Sequence, residues 1–226
     1  MDFPELHDWG VSTREAAGLQ KRLAERVRLK NGLPGRIRTV AGADVSYQRR
    51  GELFYAAIAV LNYPEMTLLE ESVAADRVSF PYVPGLLSFR ELPVLLEAFR
   101  RLRTVPDLIL VDGQGIAHPR RLGLASHLGL WLDLPTIGCA KSRLCGDHAP
   151  PGPCRGDRTP LLLDGEVVGT VLTSRDRVKP LYVSPGHRID VDTAAEMVAR
   201  CALRYRMPEP TRLAHHLANR ERQRSS

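Results

Sequence analysis

Between residues 39 and 73 the chain carries three strand-like runs in quick succession, and turn-forming residues separate them. Thr39 to Tyr47 is apolar except for Asp44 and Ser46, Leu53 to Leu61 is apolar throughout, and Leu68 to Val73 is shorter. The separators are Arg49-Arg50-Gly51 and Asn62-Tyr63-Pro64. Runs of this length at this spacing predict an antiparallel meander. A sheet therefore lies at the centre of whatever this chain folds into.

The remaining pattern is built around that sheet. Ahead of it, Ser12 precedes Glu15 at capping-box spacing and Leu19, Leu23 and Val27 recur every four residues, which predicts a helix. Asn31-Gly32 and Pro34-Gly35 are its expected stop. After it, Phe80-Pro81-Tyr82-Val83-Pro84-Gly85 cannot be regular, because two prolines lack donors and fix φ. Ser88 to Arg103 reads as a helix with a Leu95, Phe99, Leu102 stripe. The chain then alternates: a strand Leu108 to Val111, a helix Leu122 to Leu130, a strand Thr136 to Ala140. Residues 142 to 160 are loop-like, and Leu161 to Leu163 and Val167 to Thr173 suggest a hairpin across Asp164-Gly165. Asp192 to Tyr205 is a predicted helix, Pro208 and Pro210 break the pattern, and Leu213 to Arg222 is a last basic helix, about 211–226 at its widest. A meander followed by alternating helices and strands describes one mixed α/β domain over residues 1–226.

Composition narrows the setting. With 226 residues, 43% hydrophobic and 26% charged, the chain is long enough to bury a core without disulfides and too apolar for global disorder. No run of 18 apolar residues exists, so a spanning helix and a membrane partner are not expected. Met1-Asp2-Phe3-Pro4-Glu5 lacks the features of a secretory signal, which points to the cytoplasm. The 32 Lys and Arg against 26 Asp and Glu leave a net charge of +6, a surplus that suits a polyanionic partner. Four cysteines without a Cys-x-x-Cys pair fit reduced thiols. Cys145, His148 and Cys154 share one loop, but a structural zinc site needs a fourth ligand and none is near, so a plain loop is expected.

Three predicted strands each carry one charged residue beside apolar sequence: Asp44, Asp112 and Lys141. An ionised carboxylate on a buried strand is expensive unless paired or bound to metal. Strands of one sheet can bring two such acids together, and their repulsion then calls for a divalent cation. Oxygen ligands favour Mg²⁺ or Mn²⁺. Glu91 is a third acid, at the start of a predicted helix, where favourable charge placement in a first turn is the plainer explanation. Gly113-Gln114-Gly115-Ile116-Ala117-His118-Pro119 leaves the Asp112 strand as a loop that a ligand can approach closely. Arg120 and Arg121 follow, positioned to hold phosphates.

Taken in order, these stretches resemble the endonuclease V family of deaminated-base repair nucleases. The matching stretches are Val40 to Tyr47, Pro81 to Glu91, Val111 to Arg121, Pro135 to Ser142 and Val183 to His187. The resemblance covers nearly the whole chain. It implies a ribonuclease H-like mixed central sheet flanked by helices, and a divalent-metal phosphodiesterase with Mg²⁺ as cofactor and Mn²⁺ as a substitute. The implied reaction is hydrolysis of the second phosphodiester bond 3′ to hypoxanthine, leaving a 3′-hydroxyl and a 5′-phosphate. By position, Asp44 and Asp112 are implied metal carboxylates, Glu91 the accompanying acid, Lys141 a group near the scissile phosphate, and His118 a further catalytic residue. Glu209 to His215 matches a version of the family in which that histidine approaches the metal, while other members carry an acid there. Pro81, Tyr82 and Pro84 form the implied wedge, since an extruded base leaves a gap that an aromatic plane can fill. Gly85, Leu87, Gly113 and Arg120 complete the implied base and nucleic-acid contacts.

Three functions stay open at this level. The first is a monomeric repair nuclease for DNA carrying deaminated bases, single- or double-stranded. The second is a ribonuclease for inosine-containing RNA, distinguished by contact with a 2′-hydroxyl. The third is a catalytically silent nucleic-acid-binding module, which predicts loss of one of the acids, whereas Asp44, Glu91, Asp112 and Lys141 are all present.

Overall fold

A computed structural model of the chain describes residues 1–48 and 51–225. The Arg49-Arg50 part of the first expected turn, and the last residue of the expected final helix, lie outside the described residues. The three runs of the meander form β1 (Thr39–Tyr47), β2 (Leu53–Asn62) and β3 (Leu68–Arg77), paired antiparallel in sequence order. β4 (Leu108–Val111) and β5 (Thr136–Ala140) have the predicted bounds and add in parallel, β4 beside β1 and β5 beside β4. β6 (Arg158–Leu163), β7 (Glu166–Leu172) and β8 (Leu181–His187) complete the far half. Among the described residues these make one mixed eight-stranded sheet in the order β3-β2-β1-β4-β5-β8-β7-β6. The hairpin between β6 and β7 turns on Asp164 and Gly165, both at positive φ, as a two-residue loop requires.

Among the described residues five helices flank the sheet: α1 (Thr13–Ala24), α2 (Leu87–Arg100), α3 (Leu124–Leu132), α4 (Val191–Cys201) and α5 (Glu209–Arg224). The Ser12 and Glu15 capping box that opens α1 is formed in both directions. Residues alternate between the two faces of each strand. Ala41, Ala43, Phe54, Ile58, Ile109 and Val111 therefore pack on one face with α2 and α3. Val40, Leu108, Leu110, Ile137 and Cys139 pack on the other with α4. α5 shares that second face, burying Ala214, Leu217 and Ala218 against Ala57, Ala59 and Leu61. No helix among the described residues is long and apolar enough to cross a membrane.

The structure departs from the sequence pattern in three instructive places. β8 is an unforeseen strand, because Pro185 and Gly186 read as breakers. The register shifts opposite Thr136 and Ile137, where Pro185 pairs with Ile137, His187 pairs with Thr136 and Gly186 is the extra residue of the bulge. α1 stops at Ala24 rather than running on to the Asn31 turn. The chain is drawn off toward β8, where the Arg28 carbonyl accepts from the Arg188 amide at 2.6 Å and the Arg28 amide donates to His187 Nδ1 at 3.2 Å. α5 starts at Glu209, so Pro210 opens the helix instead of breaking the chain, a first-turn position where its missing N–H costs nothing.

Candidate active site

The alternation that builds the core also assembles the charged residues. Val40, Leu108, Ile137 and Cys139 face α4, and the same parity is kept by Asp44 within β1 and by Asp112 and Lys141 just past the ends of β4 and β5. The parallel register sets Val111 beside Ala43, and the Asp112 amide donates to the Ala43 carbonyl at 3.1 Å. Asp112 therefore emerges next to Asp44. Lys141 reaches back and forms an ion pair with Asp112 Oδ2. α5 supplies the fourth member: His215 Nδ1 lies 2.7 Å from Asp44 Oδ2.

Close approach of α5 makes this contact possible. A Cβ on Gly42 would fall 2.0 Å from the Pro210 carbonyl, so only glycine lets the first turn of α5 lie on β1. Asn219, one turn beyond His215, donates to His215 Nε2 at 3.0 Å and accepts from Ser46 Oγ at 2.8 Å. These bonds leave the His215 proton on Nδ1, facing Asp44. The hydrogen bond to Asp44 raises the His215 pKa above its ordinary value, and burial opposes it.

Ligand atoms of Asp44, Asp112 and His215 all lie within 4.8 Å of one another, the one such group of potential metal ligands among the described residues. Glu91 stands outside this group. It is buried in the second turn of α2, not in the first turn as its sequence position suggests. Burial first, then the charges of Asp44 and Asp112, push its carboxyl up to about 8. Asp112 is raised for the same two reasons, burial ahead of Asp44, against the opposing pull of Lys141. Carboxyls driven upward by one another mark an excess of negative charge that a cation relieves, and two oxygen ligands with an imidazole suit a divalent metal. The residues present fit that group. Cys145, His148 and Cys154 form no such cluster.

Beside the acids opens a cavity of about 400 Å³, lined by Tyr82, Gly85, Leu87, Asp112, Gly113 and Lys141 among others. Tyr82 projects at its rim, 67% exposed, with the Arg90 guanidinium 6.0 Å from its ring. Pro84 also lines the cavity, whereas the exposed Pro81 stands back from it. His118 also lines the cavity; it is buried and holds the Gly85 carbonyl at 3.1 Å through Nε2. Burial and the adjacent Arg120 cation lower its pKa to about 4, so it stays neutral. His118 thus braces the cavity wall and does not join the acids.

The two arginines correct the phosphate-holding expectation. The Arg120 guanidinium is committed to the Gly85 carbonyl and to Gln20 Oε1, and Arg121 is paired with Glu166 at 3.1 Å and bonded to the Leu163 carbonyl. Sequence reasoning missed Gln20, Asn219 and Ser46. The available signals were a glutamine on the apolar stripe of α1 and an asparagine four residues from a histidine.

Comparison with known proteins bears on this geometry. Residues 21–216 match the Endonuclease V family model. A protein named Endonuclease V from Nostoc punctiforme is 49% identical over 219 residues, covering 97% of this chain and 99% of its own length. The crystal structure of Endonuclease V from Streptomyces avermitilis superposes with a TM-score of 0.90 at 42% identity, over 96% of both chains. Endonuclease V from Ciona intestinalis, crystallised with a 24mer DNA containing an inosine followed by a ribo-adenosine, gives a TM-score of 0.82 at 28% identity, over 94% of this chain and 98% of that one.

Proposed function

The chain belongs to the endonuclease V family, and we propose that it is a repair endonuclease that recognises hypoxanthine in DNA and hydrolyses the second phosphodiester bond on its 3′ side. The products are a 3′-hydroxyl and a 5′-phosphate. The observation that carries this reading is the meeting of Asp44, Asp112 and His215 within ligand range, directly beside a cavity rimmed by an exposed tyrosine. The inosine-bearing DNA held by the Ciona relative supports the choice of substrate.

Asp44, Asp112 and His215 would hold the divalent cation, Mg²⁺ with Mn²⁺ as a substitute, and Glu91 would act behind them. When bound, such an ion polarises the scissile phosphate and makes water a stronger nucleophile. The protein's own groups do the rest. Lys141 keeps a positive charge beside Asp112, where negative charge develops on the phosphate. Tyr82, stiffened by prolines on either side, fills the space left by the extruded base. Gly85, Leu87, Gly113 and His118 line the slot that receives it, and Arg120 braces the Gly85 carbonyl from behind. The proposed active unit is a monomer. The four free cysteines support a reducing, cytoplasmic setting.

A second reading, cleavage of inosine-containing RNA, is favoured by one observation: the Ciona complex carries a ribonucleotide directly after the inosine. One experiment separates the two. Labelled strands bearing a single inosine, as DNA and as RNA, are incubated with Mg²⁺, Mn²⁺ or chelator. The expected result is cleavage of the DNA strand one nucleotide beyond the inosine's 3′ neighbour bond, lost with chelator. Cleavage confined to RNA transfers the proposal to the second reading, and cleavage indifferent to inosine removes both.

A further inference from the structure

Gln20 is an anomaly on α1. The buried face of that helix consists of Ala16, Gln20 and Leu23, and Gln20 is only 1% exposed. A polar side chain buried so fully must satisfy its hydrogen bonds. Its Nε2 donates to the Gly85 carbonyl at 3.0 Å and to the Leu122 carbonyl at 3.1 Å, while its Oε1 accepts from Arg120 Nε. The amide orientation is fixed, because a flipped amide would set its oxygen against two carbonyls and its N–H groups against a guanidinium.

Those two carbonyls belong to different walls of the same cavity. Gly85 lies in the segment carrying the tyrosine, and Leu122 begins the segment that enters α3. Around Gly85 the geometry is tight. Its φ is +80°, a conformation that L side chains rarely adopt, and its carbonyl also receives Arg120 Nη2 at 2.7 Å and His118 Nε2 at 3.1 Å. The Arg120 amide donates to His118 Nδ1 at 3.1 Å, which leaves the histidine proton on Nε2, aimed at that carbonyl. Three donors from two stretches of chain thus meet on one carbonyl: His118 and Arg120 reach it from the segment that runs on to Leu122, while Gln20 comes from α1 and bonds a backbone carbonyl on each wall.

We propose that Gln20 is a positioning residue that ties the two walls of the base slot together and so sets the fit of the extruded base. The inference rests on the reading of this cavity as a base pocket. Gln20 touches neither the acids nor Lys141, so its loss acts on recognition and leaves the assembled charged site in place. Leaving two buried carbonyls without their shared donor is costly, and a slot whose walls separate binds a planar base less well.

The test compares wild type, Gln20→Met and Gln20→Glu on strands bearing inosine or adenine at one position. Methionine keeps the length without the amide; glutamate keeps the shape but sets an acceptor against both carbonyls. The expected result for Gln20→Met is a rise in KM for the inosine strand of about tenfold or more, with kcat changing far less, and a narrower inosine-to-adenine preference. Gln20→Glu is at least as impaired. Mn²⁺ affinity by calorimetry stays at the wild-type value in both. Wild-type KM and preference in Gln20→Met overturn the proposal, as does a fall confined to kcat. Should Gln20→Met fail to fold, Arg120→Lys removes the partner that orients the amide, and an unchanged KM there overturns it equally. A wild-type enzyme with no inosine preference removes the functional reading itself, so the two failures are distinct.

Discussion

His215 Nδ1 lies 2.7 Å from Asp44 Oδ2, although 171 residues separate the two in the chain. The contact joins the last helix to the first strand of the sheet, and it places an imidazole where a metal would otherwise see only carboxylates. Loss of one ligand, or of a group that orients one, typically lowers metal affinity by about 10–100-fold. His215→Ala is therefore expected to need roughly tenfold or more Mn²⁺ for half-maximal cleavage, with activity recovering at high Mn²⁺. A Mn²⁺ titration of cleavage rate checks this, and an unchanged midpoint would remove His215 from the ligand set.

Gly42 is the residue that makes that contact geometrically possible. An added Cβ would sit 2.0 Å from the Pro210 carbonyl, so Gly42→Ala must push the start of α5 off β1. Overpacking of this kind costs about 1–3 kcal/mol. It should also carry His215 away from Asp44. The expected outcome is a lower Tm together with a weakened Mn²⁺ response, measured on the same preparation. A lower Tm with a normal Mn²⁺ response would show that α5 adjusts without moving the site.

How much of this was legible in the sequence depends on the kind of interaction. Asp44, Asp112 and Lys141 could be read because each interrupts or ends an apolar strand, and strand parity fixes which face it takes. The bounds of β1, β4 and β5 follow from the same apolar runs. β8 was not legible, because proline and glycine are read as breakers unless the bulge that accommodates them is known. The roles of Arg120 and Arg121 were misjudged for a different reason. A surplus of arginine suggests free phosphate ligands, yet two backbone carbonyls, a buried glutamine and a surface acid had already engaged these two. Contacts such as Gln20 to Gly85 join positions whose nearness only the folded chain creates.

Asp112 and Tyr82 divide the work between chemistry and recognition. Asp112→Asn removes a ligand and the partner of Lys141 while leaving the slot intact, so cleavage should fall by orders of magnitude with binding of an inosine strand retained. Tyr82→Ala leaves the acids untouched, and its loss should fall mainly on discrimination of inosine from adenine. Gel-shift affinity and single-turnover rates for both variants check the division. Near wild-type turnover in Asp112→Asn, or equal losses on both measures in Tyr82→Ala, would contradict it.

His118 makes an acid-side prediction with a definite sign. Burial and Arg120 lower its folded pKa to about 4, from an ordinary value of 6.5. Below pH 6.5 the unfolded chain takes up a proton that the folded chain refuses, so stability falls as the pH drops from 6.5 toward 4. A difference of that size corresponds to on the order of 3 kcal/mol when fully expressed. His127, also buried and also lowered, adds in the same direction. His118→Gln should therefore lose less Tm between pH 7 and pH 5 than wild type does, whatever its stability at pH 7. Parallel losses in the two proteins would show that His118 does not titrate as its surroundings demand.

Glu91 works in the opposite sense at higher pH. Its folded pKa, about 8 against an ordinary 4.5, means that the metal-free protein holds it protonated at neutral pH. Stability from this group is complete below 4.5 and is lost as the pH rises through 8, because the buried site must then carry a third negative charge beside Asp44 and Asp112. A divalent cation compensates that charge, so it should stabilise the protein more at high pH than at low pH. The expected observation is a Mn²⁺-induced rise in Tm that grows from pH 6 to pH 9 in wild type. Glu91→Gln, which fixes the neutral form, should reduce that growth and leave the metal-free protein more stable than wild type at pH 9. If Glu91→Gln keeps the full wild-type dependence on pH, the proton in question belongs to another group, with Asp112 the first to examine.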